Sequence, residues 1–383
     1  MSKRSYGRIL PPPRSSFFLF GARGTGKSTW LRSHFAQARY VDLLAERRYQ
    51  RLLTDPGLFH DELEALPRGS WVAVDEVQRL PQLLNEVHRL VEEHGLKFAL
   101  TGSSARKLRR GGVNLLAGRA LRRAMFPLTP GEMGEDFDLD RALRFGTLPL
   151  VVAAEDPAQT LEAYVRMYLK EEIQAEALVR NLGGFSRFLP VAALFHGQVL
   201  NLSSVARDAG VTRSTAQGFF AILEDTLLAR LLPAWEGRIR VRERRHPKLY
   251  WVDPGIVRAA RGRLHPVSPE ERGALLEGLV HMMLVCEQET FGEIEQLAYW
   301  APAESVRVEV DFIVRRGKEI TAIEVKSAPR LRSEDLVGLE AIAALPGLKR
   351  RVLVYGGRER LRREGVEVLP FDAFAREVAE RRL

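Results

Sequence analysis

Nine residues, GARGTGKST (Gly21–Thr29), stand between the apolar run FFLF and a segment of helical periodicity. The string fits G-x4-G-K-[ST], and few folds place it between a strand and a helix. Glycines at Gly21, Gly24 and Gly26 let backbone N–H groups close around phosphate oxygens, and the following helix turns its positive end to the same place. Thr25 and Thr29 belong to the same loop. Lys27 would reach the β and γ phosphates, and the Ser28 hydroxyl would ligate magnesium. A plain glycine turn before a helix is the bland alternative. The strand before the loop and the helix after it favour a site for ATP with Mg2+.

A metal-bound triphosphate also needs a carboxylate on a neighbouring strand and a base that positions water. WVAVDE (71–76) supplies both, with Asp75 on the magnesium side and Glu76 as the residue that polarises water. A third apolar run ends in TGSS, whose Thr101 or Ser103 would bond the γ phosphate or the lytic water. Arg119, in AGRALRR, is a candidate for stabilising charge on the transferred phosphoryl group, in its own subunit or across an interface. A role across an interface would require a ring or at least a dimer.

Short apolar runs alternating with helical patterns predict an α/β fold, with a parallel P-loop sheet first. The region from about Pro157 to Leu264 reads as mostly helical. Within it a short helix, a turn at Gly210 and a helix opened by Thr212 resemble a helix-turn-helix. From Pro269 the pattern becomes an apolar helix (274–287), strands at 306–314 and 319–325 joined by a Gly-containing turn, a helix (333–344) and the strand RVLVYG. Boundaries near Glu155 and Pro266 give an ATPase domain (1–155), a helical domain with a winged helix-turn-helix (156–266) and an α/β nuclease-like domain (267–383). Cys286 is the single cysteine, so no internal disulfide is expected. No apolar stretch approaches the roughly 18 to 20 residues of a membrane span. The N-terminus lacks the apolar core of a secretory leader, and a cytoplasmic location is the expectation.

With the P-loop, WVAVDEVQRLP, LTGSSA, LAGRA and FPLTPGEM in that order, the chain resembles a prokaryotic group of AAA+-like ATPases that carry a C-terminal domain of unknown function. The likeness continues through PKLYWVDPGIVRA, LLEGLVHMML, YW, EVDFIV and IEVKS. It implies ATP binding and an ATPase core, with the sensor in TGSS and a structurally important arginine at Arg119. The group's usual glycine pair before a proline stands here as GTLP (146–149).

Near the end of the chain, EVDFIV and IEVKS put Asp311 on one strand and Glu324 with Lys326 on the next, the latter two on one face because side chains repeat every second residue. This arrangement resembles the metal site of restriction-endonuclease-like (PD-(D/E)XK) nucleases. Asp311 and Glu324 would hold magnesium, Lys326 would orient water, and Glu277 on the preceding helix would complete the cluster. A solvated E-x-K ion pair is the alternative. Against it, Asp311 and Glu324 interrupt apolar strands, where an unpaired carboxylate is costly.

The net charge of +9 favours an anionic partner. In GRIRVRERRHPK, Arg238, Arg240, Arg242 and Arg244 alternate along what reads as a β wing, and with Arg213 at the start of the second helix they suit a phosphate backbone. A charged edge strand that merely resists aggregation would look the same. The leading expectation is a DNA-dependent ATPase that remodels or translocates on branched or forked DNA. The alternatives are a nucleotide-controlled switch whose C-terminal domain binds a protein, and an ATP-gated nuclease.

Overall fold

The computed structural model describes residues 6–104, 108, 118–168, 182–236, 246–302 and 308–383. Arg238, Arg240, Arg242 and Arg244, and the Val306 end of an expected strand, lie outside the described residues. The chain divides into two compact units, one holding Gly7–Phe126 and one holding Pro127–Glu224 with Ala229–Leu383.

In the first unit, β1 (Phe17–Phe20), α1 (Lys27–His34), β2 (Arg39–Asp42), α2 (Glu46–Thr54), α3 (Gly57–Leu63), β3 (Trp71–Asp75), α4 (Leu83–Glu93), β4 (Lys97–Gly102) and β5 (Leu121–Ala124) follow in turn. The strands form one sheet in the order β2-β3-β4-β1-β5, with every neighbouring pair parallel. Such a sheet is covered on both faces, which is why β1 is apolar and buried throughout rather than alternating. In α4, Leu83, Leu84, Val87 and Leu90 recur at helical spacing and are buried. Phe17, Leu19, Trp30, Leu31, Ala73 and Ala99 share one core that seats α1 against the sheet.

The second unit contains a helix (Leu182–Leu194), β6 (Gln198–Val199), helices Leu202–Asp208 and Arg213–Asp225, β7 (Ala229–Leu232) and β8 (Lys248–Trp251). The three strands form an antiparallel sheet ordered β6-β8-β7. Gly210 has φ 61° in the turn between the two short helices. Thr212 caps the second of them by accepting from Thr215 N at 3.1 Å. Arg213, at its first position, is exposed.

Next come a 23-residue helix (Pro269–Phe291), β9 (Gln296–Trp300), β10 (Val310–Arg316), β11 (Glu319–Lys326), a short helix (Val337–Ala341), β12 (Leu348–Tyr355), β13 (Leu361–Arg363), β14 (Val366–Pro370) and a closing helix (Phe371–Ala379). The long helix outruns its apolar segment because a Ser268–Glu271 capping box opens it and left-handed Gly292 ends it. The six strands order as β13-β14-β12-β11-β10-β9. β10 and β11 form the expected hairpin, with Gly317 at φ 57° in its turn, and β11 runs parallel to β12. Trp235 packs in the core of this sheet beside Trp300, and its backbone N–H donates to Tyr299 O at 2.7 Å. The middle and C-terminal segments therefore share a core. Among the described residues no helix is long and apolar enough to cross a membrane.

GTLP has a physical account in this unit. Gly146 ends the Leu139–Phe145 helix at φ 76°, and a Cβ there would stand 1.9 Å from Asp253 Oδ1. Thr147 N donates to Asp253 Oδ2 at 2.7 Å, while Asp253 also accepts from Ile256 N at 3.1 Å to cap the Pro254–Ala260 helix. The first glycine is required, whereas the second position accepts a threonine. Gly146→Ala is expected to destabilise the protein by about 2 kcal/mol or more, read as a lower Tm, with Thr147→Gly far milder.

Candidate functional site

The loop after β1 is a cradle made of backbone. Gly24 and Gly26 adopt φ 81° and 89°, open to glycine and strained for other residues. At Gly21 a Cβ would lie 2.5 Å from Met125 O. Thr25 Oγ1 donates to Ala22 O at 2.8 Å. Arg8 donates to Thr25 O at 2.7 Å and to Phe126 O at 2.6 Å, bracing the loop from outside. Lys27 is buried, and its ammonium donates to Gly21 O at 2.7 Å and Ala22 O at 3.2 Å, which holds it over the loop. Ser28 is half-buried and Thr29 exposed on the first turn of α1. The glycine conformations and the N-terminus of α1 suit a polyphosphate, and the Ser28 hydroxyl and the Asp75 carboxylate are oxygen groups of the kind magnesium takes.

Asp75 ends β3 and is buried. Tyr40 OH on β2 donates to its Oδ2 at 2.5 Å, and Thr101 on β4 donates to its Oδ1. Burial and the Asp75 carboxylate raise the Tyr40 hydroxyl well above its ordinary value, so it remains a donor. Thr101 Oγ1 also accepts from Glu76 N at 3.1 Å, and Glu76 itself has φ 61°, a strained backbone for a glutamate. Gln78 donates to the Glu76 carboxylate and to Ser103 Oγ at 3.2 Å. Strands β1, β3 and β4 thus bring the P-loop, Asp75 with Glu76, and Thr101 with Ser103 to one edge of the sheet. Arg119 is not among them. It precedes β5, whose Leu121 pairs with Phe17 at the far edge, and its guanidinium meets Glu92 at the end of α4. Within one chain it stands across the sheet from the phosphate loop. Tyr40, Gln78 and Arg8 are members that sequence reasoning missed. Only Gln78, two residues beyond Glu76, lay close enough in sequence to be suspected.

The C-terminal unit gathers a second cluster. Phe312 pairs with Ile323 across the β10–β11 hairpin, which puts Asp311 opposite Glu324. Asp311 Oδ2 accepts from Val325 N at 2.9 Å, and Glu324 Oε2 accepts from Asp311 N at 3.3 Å. Lys326 donates to Glu324 Oε1 at 2.5 Å. Glu277 reaches the same place from the long helix through Lys248 on β8. The Lys248 ammonium donates to Glu277 Oε1 at 3.0 Å, Asp311 Oδ1 at 3.3 Å and Glu309 Oε1 at 3.5 Å. Tyr250, two residues along β8 and therefore on the same face, donates to Glu277 Oε1 as well.

Burial and then the Asp311 charge push Glu277 up to about 7, and the same two causes raise Glu324 well above the carboxylate range. Burial alone would favour the neutral Lys248 amine, but Glu277 and its other anionic neighbours outweigh it and hold the ammonium charged. All the acidic members offer oxygen, the donor set a hard divalent cation takes. Lys248 and Tyr250 escaped sequence reasoning. A lysine at the start of KLYW looks like an ordinary exposed strand end.

Comparison with known proteins follows this division. Residues 13–134 match the family model described as "AAA domain". That segment is similar to an AAA-type P-loop ATPase domain. Residues 136–266 match "Domain of unknown function (DUF8612)", and residues 272–374 match "Domain of unknown function (DUF4143)". Similar proteins include uncharacterized proteins of Mycobacterium tuberculosis and Mycobacterium bovis, each 28% identical over 355 residues, covering 89% of this chain and 76% of the relative. Similar solved structures include a protein from Vibrio cholerae (16% identity, 96% of each chain, TM-score 0.23). Another is titled a type III CRISPR defence DNA nuclease activated by cyclic oligoadenylate (12% identity, 99% of this chain, 54% of that one, TM-score 0.20).

Thr101 donates to the Asp75 carboxylate and so fixes its orientation. Thr101→Val is expected to lower kcat for ATP hydrolysis by roughly 10- to 100-fold with ATP affinity little changed. Tyr40→Phe should move the same way by less. Steady-state phosphate release and fluorescent-nucleotide titration separate the two effects.

Proposed function

We propose that the chain is a DNA-dependent ATPase that remodels or translocates on branched or forked DNA, with a magnesium-dependent nuclease module at its C-terminal end. The observation that carries this reading is the convergence of Glu277, Asp311, Glu324 and Lys326 from one helix and two strands. The order helix, β9, β10, β11, helix, β12, with β11 parallel to β12, agrees with a restriction-endonuclease-like core. The order helix, β6, helix, helix, β7, β8, with strands arranged β6-β8-β7, agrees with a winged helix. In that reading exposed Arg213 opens the helix that would face DNA, and the arginine alternation of 238–244 would track its backbone.

At the ATPase site, the loop amides and Lys27 would bind the phosphates, Ser28 and Asp75 would hold magnesium, and Glu76 would orient the attacking water while Thr101 and Gln78 keep these groups in place. At the C-terminal site a divalent cation would polarise the phosphodiester and lower the pKa of bound water. Asp311 and Glu324 would hold it, and Lys326, whose side chain is 35% exposed, would face the scissile phosphate.

ATPase assays across single-stranded, duplex and branched DNA at low salt should show stimulation by branched forms. Glu76→Gln should lower turnover by roughly 100-fold or more with ATP still bound. Asp311→Asn should abolish magnesium-dependent cutting and leave ATP binding intact. ATP turnover that is slow and indifferent to every DNA would instead mark a nucleotide-controlled switch and retire the DNA reading.

A further inference from the structure

Lys248 is the unexpected member of the C-terminal cluster. Its side chain is 2% exposed, and lysine is almost never so buried without compelling partners. It starts β8, within the segment matching one family model, while every carboxylate it meets belongs to the segment matching another. The cluster is layered. Lys248 and Asp311, with 2% and 4% of their side chains exposed, form its floor. Glu277, Lys326 and Glu309 are 15%, 35% and 39% exposed and form its mouth. The two lysines are therefore not equivalent. Lys326 can meet a substrate phosphate, whereas Lys248 is enclosed by carboxylates and by the Tyr299 ring, 5.5 Å from its ammonium.

Its contacts support a specific role. The Lys248 ammonium lies within 3.0 to 3.5 Å of three carboxylates, Glu277, Asp311 and Glu309, so a fixed positive charge already stands at the floor of the cluster. Lys326 adds a second one beside Glu324 at the mouth. The ammonium also takes carboxylate oxygens that an ion could otherwise use. Glu277 Oε1 accepts from both Lys248 and Tyr250, and Asp311 Oδ1 accepts from Lys248.

We propose that the Lys248 ammonium is a tethered cation standing in for the second metal of a two-metal site, so that the cluster binds a single divalent ion with Asp311 and Glu324 as its ligands. This rests on the reading of the cluster as a metal site and adds its stoichiometry and its fixed counter-charge. Lys248 is a positioning residue: it holds Glu277 and Asp311 together without reaching substrate.

Mn2+ titration of the full chain without nucleotide, with bound ion counted by electron paramagnetic resonance, tests this directly. Asp311→Asn/Glu324→Gln serves as the background. The wild type should bind one Mn2+ above that background. Lys248→Met, and the gentler Lys248→Gln that keeps a hydrogen-bond donor without the charge, should bind a second ion or bind the first at least tenfold more tightly. Both variants should have a lowered Tm in EDTA that Mn2+ restores. Two ions in the wild type, or unchanged number and affinity in both variants, would overturn the tethered-cation role while the metal site stands. Failure of Mn2+ to restore folding of either variant would also overturn it, because an ion could not then replace the ammonium. No ion above background in any variant would remove the metal site itself.

Discussion

A carboxylate inside an apolar sheet costs several kcal/mol unless donors or cations answer it, and both sites of this chain are organised by that demand. At the end of β3, Asp75 is answered by two hydroxyls, Tyr40 and Thr101, from the strands on either side. Hydroxyls orient the carboxylate without adding positive charge. In β10, Asp311 is answered by a backbone N–H and by a buried ammonium. That second answer supplies charge as well as geometry. The two sites differ in chemistry because buried acids of the same kind were compensated in different ways.

Topology decides which groups meet. In a parallel sheet every strand points the same way, so whatever follows β1, β3 and β4 gathers at one edge. Arg119 illustrates the converse, since it precedes its strand and so falls at the other edge. The β10–β11 hairpin works by reversal instead: the start of β10 and the end of β11 are neighbours, and Asp311 and Glu324 meet there. Strand β8 then brings two alternate residues, Lys248 and Tyr250, onto Glu277 from a different sheet.

Much of this was legible in the chain where the relevant spacing is short. The glycines and Lys27 of the phosphate loop lie within seven residues, and β1, β3 and β4 are apolar runs that only a doubly covered sheet accommodates. The proximity of Glu324 and Lys326 follows from the period of a strand, and the oddity of Asp311 from its apolar neighbours. β2, β5 and β13 were harder to see. They are short, and RYVD, LRRA and LRR carry enough charge to resemble loops. Trp235 in the C-terminal core also had no local mark, because its partners are more than 60 residues away.

The sequence by itself determined that a triphosphate-binding loop opens an α/β domain, because glycine conformations, strand apolarity and helix polarity are properties of adjacent residues. It also determined that two carboxylates would be buried near the end of the chain. Which groups compensate them was decided by the tertiary structure alone. Lys248 is 29 residues from Glu277 and 63 from Asp311, and Tyr40 is 35 from Asp75. No periodicity spans such distances. The pairing of a buried charge depends on which backbone segments pack side by side, and that exists only once the chain has folded.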